Sequence, residues 1–82
     1  MARYTTEKEF SFGPYPRDRR ISVKANGGTL VVAVWDGQEY IVDTDDTITK
    51  DTNTFIDTQN CNIKLTPTGG ATYFIDEVST WV

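Results

Sequence analysis

Asp43, Asp45 and Asp46 crowd into one stretch of this chain, and carboxylate oxygens so spaced could hold a calcium ion. The glycine and the closing glutamate of an EF-hand loop are missing. The segment therefore reads as a solvated acidic turn, and no metal site is predicted. Cys61 is the only cysteine and histidine is absent. A thiolate or serine nucleophile needs a base beside it, and zinc or an iron–sulfur cluster needs several thiolate or imidazole ligands. Cys61 alternates with Ile63 and Leu65, which places the thiol on the apolar face of a strand, in the core. Acids are plentiful, yet no two are marked as the opposed pair that glycoside chemistry requires. Neither Gly27-Gly28 nor Gly69-Gly70 opens a helix, so neither is a phosphate cradle. The sequence predicts no enzyme and no cofactor.

The residues that read as contacts are of another kind. Tyr15 sits between Pro14 and Pro16, and Trp81 is next to last; both are hard to bury in a sheet. Arg17, Arg19 and Arg20 follow Tyr15 and form the one basic cluster. These five residues are the predicted partner-binding set, with the arginines setting register against acidic partner groups. Arg3, Lys8, Arg17, Arg19, Arg20 and Lys24 outweigh Glu7, Glu9 and Asp18 in the first 24 residues, whereas Lys50 and Lys64 are the only bases thereafter. The net charge is −4. An acidic body repels phosphate, so nucleic acid is not a predicted partner. The longest apolar run is Leu30 to Trp35, well short of a membrane span, and the N-terminus lacks the apolar segment of a secretory signal. No membrane partner is predicted, and synthesis in a cytoplasm is.

The elements that must hold these groups are strands. Ile21 to Val34 and Ile63 to Ile75 each read as strand, Gly-Gly turn, strand, with Gly27, Gly28, Gly69 and Gly70 supplying positive φ for two hairpins. Asp36-Gly37 reads as a third hairpin turn, of type I′. Residues 4–12 make a loose first strand, and Gly13 to Arg20 an extended connector shaped by its prolines. Thr29 to Trp35 is apolar on both faces and belongs in the middle of a sheet. Gln38 to Asp43, Thr47 to Thr49, Thr54 to Thr58, Asn60 to Thr66 and Ala71 to Asp76 complete the set. No segment sustains a helical period.

The predicted fold is all-β: a small antiparallel β-sandwich or barrel of seven to eight short strands with an extended N-terminal arm. Residues 1–20 form the arm and first edge strand, and residues 21–82 the body. Asn62 to Ile75, read as Asn-Ile-Lys-Leu-Thr-Pro-Thr-Gly-Gly-Ala-Thr-Tyr-Phe-Ile, follows a valine-rich strand, Trp35-Asp36-Gly37 and the short Asp46-Thr47-Ile48-Thr49 segment. Over about residues 21–76 this style resembles small β-rich virion proteins of tailed bacteriophages. The resemblance implies a non-enzymatic structural role in the virion. The chain would decorate or cement a capsid lattice through its N-terminal arm, in many copies or as a homo-oligomer, with other capsid or tail proteins as partners. The alternative is a carbohydrate- or receptor-binding β-module of a tail or tail-fibre assembly, with Trp35 and Tyr40 as its aromatic platform.

Overall fold

Alternation of apolar and polar residues sorts the chain into strands that bury one face each. A computed structural model describes residues 3–14, 17–42 and 47–77. Its seven strands are β1 (Lys8–Ser11), β2 (Asp18–Lys24), β3 (Thr29–Trp35), β4 (Tyr40–Val42), β5 (Thr52–Asp57), β6 (Asn62–Thr68) and β7 (Thr72–Ile75). All pairings are antiparallel. They form a four-stranded sheet ordered β1-β6-β3-β4 and a three-stranded sheet ordered β5-β2-β7. The architecture is a sandwich, not a closed barrel. Between the sheets lie Ile21, Val23, Leu30, Val32, Ile63, Leu65, Tyr73 and Ile75. Each comes from the inward-facing alternate positions of β2, β3, β6 or β7, as the sequence pattern predicts. Cys61 is half-buried against this core.

The glycine turns differ from the predicted hairpins. Each joins strands of different sheets: β2 to β3, and β6 to β7. The strands that each of these two corners joins lie in opposite sheets, and their hydrogen-bond partners come from distant segments. β2 pairs with β7, and β3 pairs with β6. The first corner is centred on Asn26 and Gly27, at φ of 51° and 83°, and closes with Gly28 N–H donating to Ala25 O at 2.7 Å. Positive φ at both central positions marks a type I′ turn. Gly69 and Gly70, at 64° and 91°, centre the second, with Ala71 N–H donating to Thr68 O at 3.2 Å. The two corners touch: Asn26 Nδ2 donates to Gly70 O at 3.1 Å.

The third turn is a true hairpin between β3 and β4, but not of type I′. Only Gly37 has positive φ, which leaves Gly37 and Gln38 as its centre and Asp36 as its brace. Asp36 Oδ1 accepts the N–H groups of both Gln38 and Glu39 at 2.8 Å. Thr47 to Thr49 contributes only a bridge, Ile48 to Leu30. Pro67 sits in interior strand β6 opposite Leu30, whose own N–H and C=O turn the other way, to Ile48. The side of Pro67 that lacks an N–H lies past the end of β1, which stops at Lys8 opposite Leu65. No ladder bond is forfeited there.

The leading segment is stitched into the body over its described residues. Arg3 Nε donates to Thr72 Oγ1 at 3.1 Å, and Tyr4 exchanges backbone bonds with Tyr73. Four residues later the chain has crossed to the other sheet, as β1 along β6. A boundary drawn at residue 20 falls inside β2, and residues 3–14 hold the expected first edge strand, β1, together with the Tyr4 bridge to β7. The reason is burial. Tyr4, Phe10 and Phe12 find apolar cover on the core cluster, and extended backbone has edge strands to pair with.

Candidate interaction surface

Residues singled out from the sequence fare differently once alternation is applied in space. Arg19 and Arg20 are neighbours in β2 and so point to opposite faces. Arg19 is buried, at 1% exposure. Its guanidinium carbon lies 4.0 Å from the Phe12 ring centroid, and Nη1 donates to Asp76 O at 2.8 Å. Burial pulls its pKa below the ordinary arginine value, and the charges of Asp76 and Glu77 oppose that shift. Arg19 is therefore a structural cation closing one end of the sandwich, which removes it from the predicted partner-binding set. The sequence places Asp18 to Arg20 in a connector, whereas β2 already begins at Asp18 and its alternation turns Arg19 inward. Arg20 lies exposed on the outer face of the three-stranded sheet, opposite Phe55. Arg17 is exposed as well, with Nε 3.9 Å from Asp57 Oδ2, a solvated pair of small energetic consequence. Arg19 is thus withdrawn from any surface that Arg17 and Arg20 present. Tyr15 and Trp81, and the Asp43, Asp45 and Asp46 cluster, lie outside the described residues.

The structure instead gathers apolar side chains along β4. Trp35 is 40% exposed, Ile41 50% and Val42 49%. Trp35 lies opposite Tyr40, and Ala33 opposite Val42, so Trp35, Tyr40 and Val42 share the outer face of the four-stranded sheet. Ile41 turns the other way, opposite Val34, and the apolar surface wraps round the sheet edge. The Trp35 and Tyr40 rings meet edge to face, with centroids 5.2 Å apart and planes at 61°. Lys64, on neighbouring β6, holds its ammonium 4.6 Å from the Tyr40 ring centroid. Burial first, then a hydrogen bond and the charge of Glu9, push the Tyr40 phenol above its ordinary pKa. Lys64 faces Glu9 across β1 and β6. The result is an apolar edge with a fixed polar rim, the anatomy of an interface core and its border.

Among the described residues no cluster of His, Cys, Asp and Glu is arranged to hold a metal ion. Compared with known proteins, the chain matches no family model, no curated protein and no solved structure. Phe55, 66% exposed, was not singled out from the sequence. Thr54-Phe55-Ile56 alternates without revealing which of its faces meets the core.

Proposed function

We propose that this chain is a non-enzymatic structural module of a bacteriophage virion, docking in multiple copies on capsid or tail proteins. The observation that carries the reading is the apolar edge of Trp35, Ile41 and Val42 beside Tyr40, exposed on a small domain that has little apolar surface to spare. Exposed apolar groups inside a polar rim gain affinity by being covered. Repetition on a lattice would multiply a modest single-site affinity. The sequence resemblance supplies the virion as the setting. In this reading the β3–β4 edge makes the contact, in place of the arm that the sequence suggested.

The rival reading, a glycan-binding module of a tail fibre, uses the same aromatics. Sugar stacking needs an open ring face. Here the two rings cross at 61°, and Lys64 already sits over Tyr40, which favours a protein partner.

The test is mass spectrometry of purified particles carrying either the natural chain or the Ile41→Thr, Val42→Thr variant. Threonine keeps β propensity while removing apolar surface. The natural chain is expected in the particles, and the variant is expected to fold but to be lost from them. Equal incorporation of both, or absence of the natural chain, overturns the proposal. Glycan-array binding that disappears in Trp35→Ala would select the rival.

A further inference from the structure

We propose that a second copy of this chain adds to the open edge of β5, in antiparallel register centred on Phe55, joining two three-stranded sheets into one of six strands.

Alternate backbone groups of β5 point away from β2. Thr58 N–H donates to Arg17 O at 3.0 Å, in line with the β2–β5 register. Ala25 N–H reaches the same side, to Asp51 Oδ1 at 2.9 Å. On the other side of β2, Asp76 N–H donates to Arg20 O at 3.0 Å. Antiparallel ladders alternate. Thr52, Thr54 and Ile56 therefore bond β2, while Asn53, Phe55 and Asp57 direct their N–H and C=O groups outward. Asn53, Thr54, Phe55 and Asp57 are all exposed. The opposite edge of the same sheet is covered, because Tyr4 pairs with Tyr73 of β7.

Among the described residues, β5 also lacks the usual sequence protection of a free edge. It contains no proline, no lysine and no glycine, the residues that bulge or charge an edge against pairing. Its central outward residue is the most exposed large apolar side chain described, Phe55.

Symmetry then selects the register. In a twofold antiparallel pair, facing residues must both point outward or both point inward. Centring on Phe55 sets Phe55 against itself, Asn53 against the partner's Asp57 and Thr54 against the partner's Ile56. Every outward N–H and C=O of the strand is then bonded. An aromatic pair forms on one face, flanked on each side by an amide-to-carboxylate contact. A two-residue slip centred on Thr54 would set Asp51 against the partner's Asp57, two like charges. Avoidance of like charges and burial of the exposed Phe55 against its own copy favour the same register. The contact is one short strand wide, placing it with small, transient interfaces.

Sedimentation velocity from micromolar to millimolar protein tests this. A monomer–dimer shift is expected, with at least a tenfold loss of affinity in Phe55→Lys, which sets two ammonium groups face to face. Phe55→Cys in a Cys61→Ala background tests the register without relying on the lysine variant folding. Facing Cα atoms in such a pair stand about 5.5 Å apart, within disulfide reach. Mild oxidation should link this variant to itself and leave Asn53→Cys in the same background unlinked. A monomer at all concentrations, a dimer untouched by Phe55→Lys, or equal cross-linking at Asn53 and Phe55 overturns the proposal. Ile41→Thr, Val42→Thr should leave the dimer unchanged, so failure here and failure of the virion-docking surface are distinguishable.

Discussion

Gly28 and Gly69 lie against each other where the two inter-sheet corners meet. A Cβ on Gly69 would stand 2.9 Å from the Gly28 Cα, and a Cβ on Gly28 would stand 1.8 Å from Thr68 O. The demand for glycine therefore has two origins. Gly27, at φ +83° with open space around its absent side chain, is required by backbone conformation alone. Gly28 has no positive φ and is required by contact.

The two origins predict different costs. Gly27→Ala should destabilise by about 1–2 kcal/mol, the cost of left-handed backbone for an L-residue. Gly28→Ala should reach or exceed the upper end of the roughly 1–3 kcal/mol of overpacking, because the obstructing atoms are backbone. Urea unfolding of both variants checks the order, and a larger loss at Gly27 would contradict the close approach of the corners.

Removal of residues 1–12 should abolish or severely lower the cooperative thermal transition. The deletion takes away β1, the Tyr4–Tyr73 bridge and the Phe12 ring beneath Arg19, and it uncovers edges of both sheets. Circular dichroism melting decides the matter. A truncated chain with the full-length melting temperature would show these residues to be an appendage.

Arg19 and Arg20 should respond oppositely to the same change. Arg19→Ala leaves a void beside Phe12 and removes the guanidinium bond to Asp76 O, with an expected loss of about 2–4 kcal/mol. Arg20→Ala should stay within about 0.5 kcal/mol, as for most surface positions. Similar small effects at both, measured by denaturant unfolding, would mean that Arg19 is not held inside.

Asp36 carries a pH signature. The N–H groups of Glu39 and then Gln38 hold its carboxyl below the usual carboxylate range. A depressed folded-state pKa means that the native state favours the ionised form. Its contribution is fully present above the unfolded pKa of about 3.9 and is lost as pH falls through the lower folded value. In an NMR titration the amide resonances of Gln38 and Glu39 should move together, with a midpoint below 3.9. Asp36→Ala should abolish that titration. A midpoint at or above 3.9 would remove the brace from the β3–β4 hairpin.

Legibility in the sequence followed the range of the forces involved. Thr29 to Trp35 was readable as an interior strand because valine, alanine and leucine fill both of its faces. The turns at Gly27 and Gly69 were readable from glycine chemistry. Their topology was not, since the same tight reversal serves a hairpin or a corner, and the choice depends on β6 and β7, some forty residues away. The apolar edge at Ile41 and Val42 was hidden for a related reason. A short apolar run reads as core until it is known which strand is left at the edge.

Periodicity and turn residues in the sequence by themselves determined an all-β chain, most of its strand positions and most of its core, because these depend on side chains a few positions apart. Which sheet each strand joins was decided only by the tertiary structure. It also decided that Arg19 turns inward while Arg20 turns out, that Gly28 must lack a Cβ, and that β4 and β5 stand at sheet edges. Those outcomes come from contacts between residues far apart in sequence, where pairing of the backbone and exclusion of water choose among arrangements that local preference leaves equal.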